Sequence, residues 1–302
     1  MTDLKVKVCG VELKNPVIPA SGTFGFGREF NEIYDISVLG GVATKGLTLE
    51  PRLGNPVPRI AESRGVILNA VGLQNPGVDS FIENDLEWLK SKTRVLANVA
   101  GKTLADYETI CGKLDGRVDF IELNISCPNV KAGGMAFGIK PETVKEVTRV
   151  AKSALKKTPL IVKLSPNVES IAQNARSAEE GGADCISLIN TLTGMAIDIE
   201  RRRPIITNNT GDVSGAGVKP IAVRMVYEAS HAVSIPVIGM GGITCAEDAI
   251  EFLMAGAVAV QVGTQNFTDT MACPKIIEGL RAWCERHGVK HISELTDTLR
   301  LN

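Results

Sequence analysis

The sequence predicts a (β/α)8 barrel, a TIM-type α/β fold, running as one domain over residues 1–302. Three observations carry this reading. Eight short, continuous apolar runs recur along the chain, separated by amphipathic stretches or long connections. No linker, charge block or low-complexity segment divides the 302 residues. Several runs end in a single polar side chain, which in a barrel falls on the C-terminal face where functional groups collect. Continuous rather than alternating hydrophobicity marks parallel strands covered on both faces, and strand–helix alternation marks βαβ units. A doubly wound open sheet is the competing arrangement, but eight units fit a closed barrel.

In chain order, Val6–Leu13 alternates like a hairpin and is placed as a cap on the bottom of the barrel. The apolar runs follow as Val17–Ala20, Gly41–Lys45, Arg94–Val99, Val118–Ile125, Leu160–Leu164, Asp184–Ile189, Pro236–Met240 and Ala257–Val262. The amphipathic segments lie near Phe81–Lys90, Leu104–Leu114, Pro141–Lys156, Ser170–Glu180, Pro220–Ala232, Ala246–Met254 and Pro274–Arg286. Two connections are too long for plain βα turns: Thr48–Leu68, with Pro51, Pro56 and Pro58, and Thr191–Gly217. Long insertions after strands are expected to be active-site loops.

Composition narrows the function. Hydrophobic residues at 44% and charged residues at 22% are globular values. With 33 basic and 34 acidic residues, the net charge of −1 gives no electrostatic footprint for nucleic acid or anionic lipid. The start, Met1-Thr2-Asp3-Leu4-Lys5, lacks the apolar run of a signal peptide, and no stretch reads as a membrane span, so a soluble cytoplasmic protein is expected. Seven cysteines without any C-x-x-C spacing argue against a disulfide framework, a structural zinc site or a self-contained iron–sulfur cluster. His231, His287 and His291 show no ligand spacing, so no metal role is assigned. Arg201-Arg202-Arg203 reads as a solvated loop.

The polar strand ends are Lys45, Asn98, Asn124, Lys163 and Asn190. Singly, each is a solvated strand end; five converging amides and ammoniums point to a polar, planar ligand at the barrel mouth. Gly239-Met240-Gly241-Gly242 follows the seventh run and Gly263-Thr264 the eighth, the two positions where barrels often hold a phosphate. Ser214-Gly215-Ala216-Gly217 precedes a helix and offers further N–H donors. None of these is a Walker or Rossmann motif.

The sharpest element is Asn124-Ile125-Ser126-Cys127-Pro128-Asn129, followed by a glycine-rich stretch to Gly138. A thiol just beyond a strand end, among asparagines, serves as a base or nucleophile. Cys9, Cys111, Cys185, Cys245, Cys273 and Cys284 read as small core hydrophobes.

Here the sequence resembles the dihydroorotate dehydrogenases. The resemblance is carried in order by Thr44-Lys45-Gly46, Glu50-Pro51-Arg52-x-Gly54-Asn55-Pro56, Asn69-x-x-Gly72-Leu73-x-Asn75, the Ser-Cys-Pro-Asn loop, Asn190-Thr191 and the two late glycine segments. The loop Asn129-Val130-Lys131-x-Gly133-Gly134-x-Ala136-Phe137-Gly138 is most similar to the NAD-linked class 1B catalytic subunit. A cysteine at 127 and the lack of an N-terminal membrane-binding extension disfavour the quinone-dependent class 2. The fumarate-linked class 1A is the nearer alternative. A dihydropyrimidine dehydrogenase-type flavin barrel, a non-redox phosphate-binding isomerase or lyase, and a non-enzymatic phosphate-ligand binder are further ones.

The resemblance implies an FMN-containing barrel that oxidises dihydroorotate to orotate in pyrimidine biosynthesis. It implies Cys127 as the catalytic base, and Lys45, Asn69, Gly72, Leu73, Asn124, Asn129, Asn190 and Thr191 as substrate-binding residues. It implies an FMN site built from Ser21, Lys45, Gly46, Asn98, Asn124, Lys163, Ile189, Gly215, Gly241, Gly242, Gly263 and Thr264. It also implies a homodimer of catalytic chains within a heterotetramer, with FAD and an iron–sulfur cluster on a partner subunit that passes electrons to NAD.

Overall fold

The computed structural model describes residues 2–125 and 137–302. Eight parallel strands form the barrel: β1 Val17–Pro19, β2 Val42–Ala43, β3 Val95–Val99, β4 Phe120–Asn124, β5 Leu160–Lys163, β6 Cys185–Leu188, β7 Val237–Met240 and β8 Ala259–Val262. The ladder runs β1-β8-β7-β6-β5-β4-β3-β2. Every residue of β3, β5, β6, β7 and β8 is buried, which is why these runs are mainly apolar rather than alternating, the polar Asn98, Lys163, Ser187 and Gln261 being buried with the rest. The seam between β1 and β2 is bridged by the Gly40 N–H, which donates to the Val17 carbonyl at 3.0 Å.

The helices close the outer layer for identifiable local reasons. Leu104–Leu114 starts in a capping box, Thr103 accepting from the Asp106 N–H while Asp106 reaches back to Thr103. Ile171–Glu180 is capped by Ser170, and Ala272–His287 ends at Gly288 in the left-handed region. The predicted helix Phe81–Lys90 is two helices, Val78–Asn84 and Leu86–Lys92. The break falls at Asp85, whose carboxylate takes the Arg28 guanidinium at 2.8 Å while the same arginine binds the Asn84 carbonyl. Pro141–Ser153 stops short of Lys156. There the Asp115 carboxylate accepts from the backbone N–H groups of Lys156, Lys157 and Thr158 and turns the chain into β5.

Below the barrel, Val6–Val8 and Val11–Leu13 form the expected antiparallel hairpin. Above it, the two long insertions are not plain loops. Ile60–Ser63, Val66–Asn69, Leu192–Gly194 and Gly211–Ser214 make a four-stranded antiparallel sheet, in which Asn69 lies opposite Asp212. Leu68, Ala70 and Ile206 form its small buried core. The insertion after β2 thus pairs with the insertion after β6, and together they roof one side of the mouth. Cys111, Cys185, Cys273 and Cys284 are buried as expected, but Cys245 is exposed at the start of the helix Ala246–Met254, and Cys9 is half-buried in the hairpin turn. Among the described residues, no helix is long and apolar enough to cross a membrane.

A Cβ at Gly40 would lie 2.1 Å from the Asn15 carbonyl oxygen, so the seam closes only around a glycine. Gly40→Ala is expected to destabilise the protein by about 1–3 kcal/mol, the usual cost of overpacking. A denaturant midpoint equal to wild type in chemical unfolding would show that the seam has slack.

Candidate active site

A cavity of about 700 Å³ opens at the C-terminal face, between the strand ends and the roof sheet. Lys45, Asn124, Lys163 and Asn190, at or just beyond the ends of β2, β4, β5 and β6, line one part of it. Ser214, Gly215, Gly241, Gly242, Gly263 and Thr264 line another. Asn69, Gly72 and Leu73 come from the roof, and Ser21, Gly46, Ile189 and Thr191 complete the predicted residues on the wall. Cys127 and Asn129 lie outside the described residues. Asn98 is fully buried and sits one layer beneath the wall, under Gly46.

The residues on either side of 126–136 are well tied. The Ile125 carbonyl lies so close to Gly138 that a Cβ there would come within 2.8 Å of it. Asn174 donates to the Gly138 and Ile139 carbonyls at 3.1 and 3.3 Å. The Tyr107 hydroxyl donates to the Asn124 carbonyl at 2.8 Å, and its ring meets Phe137 edge-on.

Beneath the amide end is a buried polar cluster that the sequence reading passed over. Glu122, in the middle of β4, is fully buried. Its Oε2 accepts from Asn98 Nδ2 at 2.7 Å and lies 3.8 Å from the Lys163 ammonium. Its Oε1 accepts from Ser187 Oγ at 2.9 Å and from the Gln261 amide. An isolated carboxylate here would cost several kcal/mol, and these donors offset that. The available signal was parity: Glu122 sits two residues before Asn124 and so shares its barrel-facing side.

Two more features of the site were missed. Asp212 faces the cavity from the roof, and burial pushes its carboxyl up, with a hydrogen bond from Thr191 acting the other way. Asn75, quoted above within a motif, is a staple rather than a wall residue. Its side chain holds Thr48, Leu73 and Gly77 at 2.7–3.2 Å. It thereby presents Leu73, whose φ of 56° lies in the left-handed region that a leucine rarely adopts.

The glycine end is backed by charge. Lys219, at the start of the helix Lys219–Ser230, pairs with Asp248 and Glu251 of the helix Ala246–Met254 at 2.6 Å. Asp248 also accepts from the Thr244 N–H and hydroxyl. Burial alone would raise Asp248, but the ammonium and the Thr244 donors outweigh it and hold the carboxyl at about 2. Gly242 packs against the start of the helix Lys219–Ser230 at φ 76°, where a Cβ would sit 2.8 Å from the Lys219 backbone nitrogen. At Gly263, by contrast, a Cβ would have no neighbour nearer than 3.7 Å and would project into the cavity.

Comparison with known proteins agrees with this geometry. The dihydroorotate dehydrogenase family model matches residues 3–283. The chain belongs to the dihydroorotate dehydrogenase family. A protein of Alkaliphilus metalliredigens named dihydroorotate dehydrogenase B (NAD(+)), catalytic subunit, is 54% identical over 299 residues, covering 98% of this chain and 99% of that protein. Proteins of the same name from Geobacillus kaustophilus and Bacteroides thetaiotaomicron are each 52% identical, over 97% and 100% of this chain and 95% and 100% of their own lengths. In this dihydroorotate dehydrogenase-family barrel, the strand ends and the late glycine segments therefore share a single cavity.

Because Asp248 is held below its ordinary value of 3.8, its contribution to stability is complete above that pH and is lost as pH falls through about 2. Asp248→Asn is expected to lower the melting temperature near neutrality, and the gap to wild type should narrow below pH 3.8. A pH-independent gap in thermal melts would assign the loss to packing instead.

Proposed function

We propose that this chain oxidises dihydroorotate to orotate as the catalytic subunit of an NAD-linked dihydroorotate dehydrogenase. The observation that carries the reading is the single cavity with an amide-and-ammonium floor at one part and a glycine-lined wall at another, in a chain of this family. Full-length relatives named for NAD(+) favour that acceptor over fumarate.

The residues fit FMN. Gly263 leaves the cavity open where a side chain would fill it, and Ser214 and Thr264 place hydroxyls beside Gly215, Gly241 and Gly242 for a phosphate. Ser21, Lys45, Gly46, Asn124, Lys163 and Ile189 would hold the ring system, with Asn98 supporting them from below. When bound, FMN supplies the two-electron acceptor that no side chain provides. Lys163, 5% exposed at the end of β5, stabilises negative charge developing at that end of the cavity. Asn69, Asn124, Asn129, Asn190 and Thr191, with Lys45 and the backbone at Gly72 and Leu73, match the mixed donors and acceptors of a cyclic imide carboxylate. Cys127 takes the proton from the ring carbon beside the carbonyl, and the roof limits access of water to that carbon. FAD and an iron–sulfur cluster belong to a partner subunit on this reading, and two catalytic chains pair within a heterotetramer.

Cys127→Ala is expected to keep FMN bound while flavin reduction by dihydroorotate slows at least about 100-fold, the low end for losing a general base. Stopped-flow reduction at the wild-type rate would remove Cys127 from the mechanism. Wild-type reduction should quicken as pH rises toward about 8.5, the free thiol value. The isolated chain should also reduce NAD poorly; rapid NADH formation by homogeneous protein would dispense with the partner. Purified protein without flavin absorbance that FMN fails to reconstitute would overturn the redox reading altogether.

A further inference from the structure

We propose that Glu122 is a positioning residue that sets which way round the amides of Asn98, Asn124 and Asn190 are held, and so how the cavity reads a pyrimidine. The proposal rests on the functional reading above. Its physical basis is that a carboxylate accepts hydrogen bonds and never donates them. Asn98 must therefore turn its Nδ2 to Glu122, at 2.7 Å, and its Oδ1 the other way. There Oδ1 accepts from Asn124 Nδ2 at 3.5 Å, the loosest link. Asn124 Oδ1 in turn accepts from Asn190 Nδ2 at 3.1 Å, and Asn190 Oδ1 accepts from the Thr191 backbone N–H at 2.9 Å.

A side-chain amide has nearly the same shape either way round. Three linked amides therefore have two self-consistent arrangements, one the reverse of the other. The carboxylate at one end and the backbone N–H at the other select the same one. Glu122 is itself fixed, because its other oxygen is held by Ser187 and Gln261. It is fully buried and acts through Asn98.

The test uses full-length, FMN-loaded protein. Orotate binding is followed by the change in flavin absorbance, with FMN content and melting temperature recorded for each variant. Wild-type protein is titrated first; if it binds FMN but not orotate, the substrate reading fails and takes this proposal with it. Glu122→Gln puts an NH2 group where an acceptor oxygen stood: turned to Asn98 it meets the donor Nδ2, and turned away it meets the Gln261 NH2 group, leaving only the Ser187 hydroxyl able to accept. Orotate affinity is expected to fall at least about tenfold with FMN still bound. Asn98→Asp, setting one carboxylate against another, should weaken it similarly.

The deciding variant combines Glu122→Gln with Asn98→Asp, exchanging the two groups. The new amide donates to the new carboxylate, whose second oxygen accepts from Asn124 as Asn98 Oδ1 does in the native chain. Affinity should return to within about threefold of wild type. Wild-type affinity in Glu122→Gln alone overturns the proposal. So does an exchange variant that melts like wild type and holds FMN yet binds orotate no better than Glu122→Gln, since that would show a purely structural role. Should Asn98→Asp fail to fold, Glu122→Gln against the exchange variant still decides.

Discussion

The Glu122 carboxylate sits inside an eight-stranded barrel with no exposed surface, and its partners come from four other strands: hydrogen-bond donors Asn98 on β3, Ser187 on β6 and Gln261 on β8, and the ammonium of Lys163 on β5. An open sheet does not bring β8 back across to β4, so this arrangement exists only because the barrel closes. It also fixes register. Side chains alternate along a strand, so a slip of one residue in β4 would turn Glu122 out toward the apolar helix layer. Asn124, two residues on, would leave the mouth with it. The demand that a buried charge keep its donors thereby holds the strand ends in the phase that the cavity needs.

Over that floor, the roof is built from parts distant in sequence. Asn69 and Asp212 face each other across an antiparallel ladder, and the Asn69 side chain reaches the Asp212 carbonyl at 3.4 Å. Each insertion alone is a short two-stranded ladder with little to bury; paired, they enclose Leu68, Ala70 and Ile206. The Asn75 staple and the left-handed Leu73 follow the first insertion directly, and Asn75 ties its start at Thr48 to its end, so that its backbone is held by local contacts. Stability of the barrel and shape of the cavity are thus carried by different segments, which is the division that lets this fold change its mouth without changing its core.

The barrel itself was legible because parallel strands buried on both faces leave a clear trace: Leu160–Lys163 and Ala259–Val262 are short, mainly apolar runs, each with a single polar residue. Lys45, Asn124, Lys163 and Asn190 were legible because a polar residue ending such a run has one place to go. Glu122 was not, since inside Phe120–Asn124 it reads as an interruption unless the strand is divided by parity. The roof sheet escaped because its strands are at most four residues long and only partly buried, and because Asn69 and Asp212 are far apart in the chain. The helix break at Asp85 was hidden for the same kind of reason: its cause, Arg28, lies far upstream. Cys245 was misplaced because composition treats cysteine as a core residue, whereas here it stands where a helix begins.

Residue type alone leaves one property of such a site open. Asparagine offers a donor and an acceptor of nearly equal shape, so a wall of asparagines is compatible with a ligand and with its hydrogen-bonding inverse. Groups that only accept or only donate remove that ambiguity, and this barrel has one at each end of the row: the Glu122 carboxylate below and the Thr191 N–H at the rim. Lysine at 163 adds a donor-only group beside the carboxylate. On the proposal above, the orientation of the amides at the mouth is therefore set partly one layer down, by a carboxylate that does not line the cavity. That is why a search for recognition residues confined to the cavity wall stops one residue short of the group that decides their orientation.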